Sequence, residues 1–332
     1  MSVQDQSDFI AGADDRALPF QVDPLDVRGR VVTLGPALDA ILARHDLPRP
    51  VKVLLGEAVA LASLLATSLK DTGRFILQAE TDGPVSLLVV DIRTPGQIRA
   101  TATCNRERVE GVSEAGRASS ADLLGSGTLA MTIEQGRSGH RYQGYVKLQH
   151  ESLEAAAHAY FRQSEQIPTR VRLAVAEILD RGEAGEARQA WRAGGLIAQF
   201  LPDSPDRITV RDLPPGDAPE DAEPPHEAEE DDAWVEAAAL VDTVEDVELI
   251  DPSVPAERLL LRLFHERGVR VFDATPLEDR CTCSRQRIAA VLEQLPAEEL
   301  TEAAESGAIA VRCEFCGKEY RFDPDGLGKN DV

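Results

Sequence analysis

The longest helical pattern lies near the N-terminus. Residues 51–69 are rich in Ala and Leu and apolar on nearly every side, which is typical of a helix buried between other elements. A shorter helix is predicted just before it, over residues 37–42. The long run contains Gly56 and Glu57, so we interpret it as a core helix rather than a membrane span.

Apolar runs of strand length lie on both sides of these helices. Gly-rich turns separate the runs, and most of the loops are too short for helical crossovers, so we expect antiparallel pairing. A further helix begins after Ser152 and runs to about Ser164 with one apolar face. The predicted strands cover residues 27–34, 74–80, 85–90, 97–103, 128–134, 141–148, 170–176 and 193–201.

Together these elements predict an α+β domain over residues 20–202, in which helices pack against a largely antiparallel sheet. Residues 1–19 are polar and acidic, and we interpret them as a flexible N-terminal tail. Because the main periodic helices and the candidate sheet strands all lie before Pro202, we expect this part of the chain to fold alone.

The sequence of residues 203–275 predicts a linker that is acidic, Pro-rich and partly helical. Within it, residues 213–232 carry no Lys or Arg and contain repeated prolines, so they form a solvated spacer that cannot fold alone. Residues 234–250 mix acidic and apolar side chains, and a firmer helix opens at Pro255 and ends at Gly268. The high charge density predicts that the helical part is only conditionally folded.

The net charge and the local sequence argue against several classes of binding partner. The chain has 332 residues, 43% of them apolar, and its 58 acidic against 35 basic residues give a formal charge of −23, which argues against binding to nucleic acid. Residues 1–8 lack the features of a signal peptide, so a cytoplasmic location is expected, without a membrane partner. The sequence contains no glycine-rich phosphate-binding loop, so we expect no nucleotide partner.

No group of residues predicts catalysis. His140, His150 and His158 are scattered, and no paired carboxylates or nucleophile with a base can be defended. We therefore expect packing or surface roles for the histidines, no catalytic residue and no enzymatic activity.

Four of the five cysteines lie in two close pairs near the C-terminus. Cys281 and Cys283 form a Cys-x-Cys pair, and Cys313 and Cys316 form a Cys-x-x-Cys pair. Two such pairs, joined by a spacer that folds back, can supply the four corners of a tetrahedral zinc site. A disulfide staple fits poorly with a chain that has no export signal, and buried cysteines would not cluster in this way.

The same thiols also suit redox chemistry. The two thiols of a Cys-x-Cys pair can react with each other, and a zinc-bound thiolate is the form that oxidants attack. Composition alone does not choose between a structural and a redox role. Cys104 lies beside a predicted strand end and is interpreted as a small buried residue, so one Zn²⁺ per chain on the other four cysteines is predicted.

These motifs together resemble the heat shock protein 33 family, also called the 33 kDa chaperonin. The resemblance extends from about Leu25 to Gly326 and departs from the family mainly in the long acidic insert. Its most specific part is formed by the two cysteine motifs, and further similar segments cover residues 141–144, 164–170 and 263–266.

The resemblance implies a redox-regulated, ATP-independent holdase chaperone that prevents aggregation of unfolded or partly unfolded client proteins under oxidative stress. It implies a reduced, zinc-bound and inactive state, and an oxidised, active state with disulfides Cys281–Cys283 and Cys313–Cys316, expected to be a homodimer. Residues 276–332 would then be the redox-switch domain. Zinc loss would unfold the linker and expose a client-binding surface that contains Trp234, Leu240, Val244, Leu249, Leu260 and Phe264.

Two other classes of function compete with this interpretation. A thiol-disulfide oxidoreductase that uses Cys281 and Cys283 would turn over a dithiol substrate. A zinc-ribbon adaptor would bind a fixed partner and would hold its zinc in the presence of peroxide.

Overall fold

The computed structural model describes residues 14–69, 72–136, 140–181, 187–202, 230–302, 304–305 and 307–323. Residues 1–13 of the predicted tail and residues 213–229 of the acidic insert lie outside these described residues. In chain order the strands are β1 (Arg16–Val22), β2 (Val27–Leu34), β3 (Gly73–Thr81), β4 (Val85–Arg93), β5 (Gln97–Cys104), β6 (Ser126–Gln135), β7 (Arg141–Gln149), β8 (Thr169–Arg181), β9 (Ala187–Phe200), β10 (Arg270–Val271), β11 (Thr275–Pro276), β12 (Glu278–Asp279), β13 (Ala304–Glu305), β14 (Ala308–Arg312) and β15 (Glu319–Phe322).

Helices separate the strands along the chain. A 3-10 turn covers Asp23–Leu25, and a π-type turn covers Phe161–Glu165. In chain order the α-helices are α1 (Pro36–Ala43), α2 (Arg49–Ala66), α3 (Arg106–Glu114), α4 (Ser120–Leu124), α5 (Leu153–Tyr160), α6 (Asp232–Asp242), α7 (Asp246–Ile250), α8 (Ala256–Phe264), α9 (Arg285–Leu292) and α10 (Ala297–Glu302).

The predicted α+β class is confirmed, and the expected sheet is divided into two six-stranded sheets. The first sheet has the order β10-β1-β2-β9-β8, with β11 also pairing with β1. The second has the order β12-β5-β4-β3-β6-β7. Pairing within both sheets is antiparallel except between β12 and β5, which run parallel.

The long helix α2 lies between the two sheets and forms the centre of the first core. Leu54, Leu55 and Leu61 of this helix are almost completely buried, as the apolar run predicted. The cluster around them draws on strands of both sheets, on α1 and on α5. Among the described residues, no helix is long and apolar enough to cross a membrane.

A second core covers the other face of the first sheet. Helices α6, α7 and α8 of the predicted linker pack their apolar side chains against β1, β2 and β9. Phe264 stacks on Phe20 with ring centroids 5.8 Å apart, and Trp234 lies 6.1 Å from Phe200. The linker helices therefore close one side of the N-terminal domain.

The structure corrects the end of the predicted N-terminal tail. Residues 16–19 belong to β1, and Ala17 and Leu18 are buried. Asp15 also has a fixed position, because its carboxylate accepts hydrogen bonds of 2.9 Å from the backbone amides of Gly35 and Ala37. Its negative charge caps the start of α1, so Asp15 belongs to the folded domain.

Candidate metal centre

The second cysteine pair lies at the tip of a hairpin. Strands β14 and β15 pair antiparallel with Arg312 opposite Glu319, and the four residues from Cys313 to Cys316 follow β14. The amide of Cys313 donates to the carbonyl of Lys318 at 2.9 Å, and the amide of Gly317 donates to the carbonyl of Cys313 at 2.8 Å. Gly317 adopts φ 69°, as the sequence predicted, because only glycine enters this region without strain.

The first pair lies between a strand and a helix. Cys281 and Cys283 follow β12, and Ser284 then caps α9 by accepting a hydrogen bond of 3.3 Å from the amide of Arg287. The predicted cap is confirmed. The guanidinium of Arg287 also donates to the carbonyl of Thr282 at 2.9 Å, which holds the turn between the two thiols.

The fold brings the two pairs together. All four sulfur atoms lie within 4.8 Å of one another. Cys281 Sγ is 3.7 Å from Cys313 Sγ, and Cys283 Sγ is 3.4 Å from Cys316 Sγ. Four ligands about 2.3 Å from a zinc ion at tetrahedral angles lie roughly 3.8 Å apart, so the spacing and the all-sulfur donor set fit zinc.

The thiols differ in acidity. Burial opposes ionisation of Cys283, but hydrogen bonds from the Tyr320 hydroxyl and from neighbouring thiols outweigh burial and lower the pKa of Cys283 to about 7. Burial raises the pKa of Cys281, and burial together with thiol contacts raises the pKa of Cys316 to about 12. One thiolate is thus accessible near neutral pH, and a bound cation would ionise the others.

The cluster packs against the outer edge of the second sheet. The Arg99 guanidinium lies over the Phe315 ring, 4.2 Å from its centroid, and also donates to the buried Asp91 at 2.7 Å. Asp91 is 1% exposed and accepts two further hydrogen bonds of 2.8 Å from Arg74. Sequence reasoning missed these residues, because no local pattern links Arg99 to a ring more than 200 positions away.

Cys104 lies apart from the metal centre. It ends β5 opposite Val85, is half-buried, and does not belong to the sulfur cluster. Burial raises the pKa of its thiol, which keeps it protonated. Among the described residues, the four clustered cysteines form the one group with metal-binding geometry.

The six residues proposed to bind clients all lie in the second core. Leu260 and Phe264 are fully buried, Trp234, Val244 and Leu249 are nearly so, and Leu240 packs at the edge. The structure therefore brings them together, and in this state they face the first sheet. Their role in client binding stays a prediction.

Comparison with known proteins gives matches over nearly the whole chain. The family described as Hsp33 protein matches residues 15–323. A 33 kDa chaperonin of Caulobacter vibrioides is 44% identical over 315 residues, which cover 94% of this chain and 96% of that protein. A 33 kDa chaperonin of Ectopseudomonas mendocina is 36% identical, with coverage of 93% and 92%.

A solved structure supports the fold. The crystal structure of the 33 kDa chaperonin (heat shock protein 33 homolog) from Thermotoga maritima matches with a TM-score of 0.69 and covers 94% of this chain and 96% of that one. The two sequences are 19% identical, so this similarity supports the architecture alone.

Proposed function

The chain belongs to the Hsp33 family, and from that premise we propose that it is a redox-regulated, ATP-independent holdase. The family and the names of its relatives support a chaperone function. In the proposal the protein works in the cytoplasm, catalyses no reaction, and holds unfolding proteins under oxidative stress. The observation that carries the regulatory part is the convergence of four thiols in one cluster.

In the reduced state the cluster holds one zinc ion. Zinc supplies roughly 10–16 kcal/mol of apparent binding free energy to a small module, comparable with the whole stability of a domain, about 5–15 kcal/mol. The core beneath the cluster is small, with Leu292, Ile309, Tyr320 and Phe322 as its buried members. The module therefore depends on its metal.

Oxidation is the proposed trigger. Two thiolates in each pair lose two electrons to an oxidant such as hypochlorite and form the disulfides Cys281–Cys283 and Cys313–Cys316, as the family resemblance implies. Zinc then leaves, because a disulfide sulfur is no longer a thiolate ligand. A disulfide bond is about 2.0 Å long, so its formation requires the thiols of the folded cluster, which lie within 4.8 Å of one another, to move closer together.

Unfolding of the C-terminal cysteine module after zinc release would free the linker helices. Undocking of α6, α7 and α8 would expose the six apolar residues of the second core, and their acidic flanks would keep the complex with a client soluble. The active form is expected to be a homodimer.

The test compares reduced and oxidised protein on one thermally unfolding client. Oxidised protein, prepared with hypochlorite, should release its zinc and suppress light scattering by the client, and dithiothreitol should reverse the suppression. Equal suppression by both forms would contradict the redox switch. Retention of zinc under oxidant would favour an adaptor, and turnover of a dithiol substrate would favour an oxidoreductase.

A further inference from the structure

A short segment that immediately precedes the first cysteine pair in the sequence connects the two sheets. Residues 270–280, here called the strap, contain β10, β11 and β12. The first two strands pair with β1, and the third pairs with β5. Between them Leu277 enters the first core and is 4% exposed, and among the described residues it is the one member of that core from beyond residue 197.

The strap satisfies backbone acceptors along both sheet edges. The amides of Glu278 and Arg280 donate to the carbonyls of Gly96 and Ile98 at 2.8 and 2.9 Å. The amides of Phe272 and Leu277 donate to the carbonyls of Pro19 and Asp15 at 3.0 and 2.7 Å. Without the strap, β1 and β5 would present unpaired edges, which are templates for another extended chain.

Side chains add selectivity to this backbone pairing. Leu277 fills an apolar slot beside Gly96, and the carboxylate of Asp279 accepts two hydrogen bonds from the Arg44 guanidinium, the one to its Oδ1 at 2.8 Å. A cavity of 320 Å³ opens beside Thr275, between the end of α2 and the turn at Pro95. The slot and the arginine therefore select an aliphatic side chain followed, two positions later, by a carboxylate.

The strap is connected at both ends to elements that would unfold on oxidation and zinc release. It follows α8 and leads directly into Cys281, while each of its three strands spans two residues. Short strands of this kind depend on their neighbours for stability. We propose that the edge of β5, with the Leu277 slot and Arg44, is a second client-binding site, which the strap occupies in the reduced state. Its ligand is an extended segment of an unfolded protein with the side-chain pattern of the strap.

This inference rests on the proposed chaperone function, and a glycine next to the strap allows a separate test. A Cβ on Gly96 would lie 2.1 Å from the carbonyl oxygen of Pro276, so Gly96→Ala should push the strap off β5 without touching a metal ligand. Gly127→Ala is the matched control, because its Cβ would lie 2.1 Å from the carbonyl oxygen of Glu80, elsewhere in the same sheet.

The reduced, zinc-bound Gly96→Ala protein should lose hydrogen-exchange protection at the amides of Glu278 and Arg280 and should gain aggregation suppression. The Gly127→Ala protein should keep that protection and stay inactive. Loss of strap protection without any gain of suppression would overturn the proposal. A dimer of Gly96→Ala protein with an exchanged strap, seen by sedimentation, would also overturn it, because the occupant would then be a second copy.

A direct probe of the site is a labelled peptide with the sequence of residues 274–280. It should bind oxidised full-length protein, measured by fluorescence anisotropy, and should not bind the reduced wild type. A peptide carrying Leu277→Asp should bind much more weakly, since the apolar slot would receive a charge. If oxidised protein suppresses aggregation but does not bind the peptide, the second site is refuted while the chaperone function stands.

Discussion

Four thiol groups determine whether the C-terminal module holds a metal ion. Their sulfur atoms lie within 4.8 Å of one another, whereas Cys104 is half-buried at the end of β5. Each ligand of a closed tetrahedral site contributes one corner, so the loss of one thiol opens the site and the loss of Cys104 does not.

Metal analysis of single variants tests this assignment. Reduced Cys316→Ser protein should bind zinc far more weakly than the wild type, and Cys104→Ser protein should still contain one zinc per chain. A competing chelator with a colour change measures both. Full zinc retention in a double variant of Cys281 and Cys283 would contradict the four-cysteine site.

A buried histidine gives the N-terminal domain a pH dependence of its own. His158 Nε2 accepts a hydrogen bond of 2.8 Å from the amide of Val171, and burial, helped by the nearby Arg170, lowers its pKa to about 4. Between pH 6.5 and about 4 the unfolded chain therefore binds a proton that the folded chain does not. Stability falls as pH falls through this window, by about 3 kcal/mol at most.

The measurement is the free energy of unfolding of the wild type and of His158→Gln protein from neutral pH to about 4. The difference between them should change across the window, because the variant lacks the titrating ring. The comparison is needed because burial raises the pKa of Glu57 to about 7, and its linkage has the opposite sign. If the difference in unfolding free energy stays constant across the window, His158 takes up its proton in the folded chain at the same pH as in the unfolded chain, and the prediction is wrong.

Among the elements, helix α8 is the main apolar contact of the linker. Its buried side includes Leu260 and Phe264, both fully buried, while Leu261 on the other side is 57% exposed. The Phe264 ring stacks on Phe20 of β1, so this helix attaches the linker to the first sheet.

Truncation of that ring should undock the linker without oxidant. Phe264→Ala should remove about 3–5 kcal/mol of packing free energy and raise hydrogen exchange across residues 232–264 in reduced, zinc-bound protein. Leu261→Ala in the same helix is the control and should leave exchange unchanged. Unchanged protection in the Phe264 variant would show that other contacts hold the linker.

Elements with a strong local signal could be predicted from the sequence. The long apolar run predicts α2, Ser152 and Ser284 predict helix caps, and the cysteine spacing predicts the cluster of four thiols, all of which the structure contains. Long-range pairings have no local signal. Residues 16–19 of β1 are assigned to the tail because residues 1–19 are polar and acidic as a group, and the strap pairs across 180 positions or more. The division into two sheets likewise depends on α2, which separates them.

The whole molecule has two main cores that share one sheet. The first core comes from residues 17–197 with Leu277 added, and the second lies between the first sheet and the linker helices. The two cores therefore differ in what they need: the first is nearly complete without the described residues beyond Pro202, and the second does not form without the linker helices.

A fragment that ends at Pro202 separates the two cores. It should melt cooperatively, because the first core loses only Leu277, and at a lower temperature than the full chain. It should also bind a hydrophobic dye and suppress client aggregation without oxidant, since Leu18, Phe20 and Phe200 lose the helices that cover them. Calorimetry and dye fluorescence, with reduced full-length protein as the control, measure both effects. A fragment without a cooperative transition would show that the strap is needed for the first core, and a cooperative fragment that binds no dye would show that the sheet face is not a client surface.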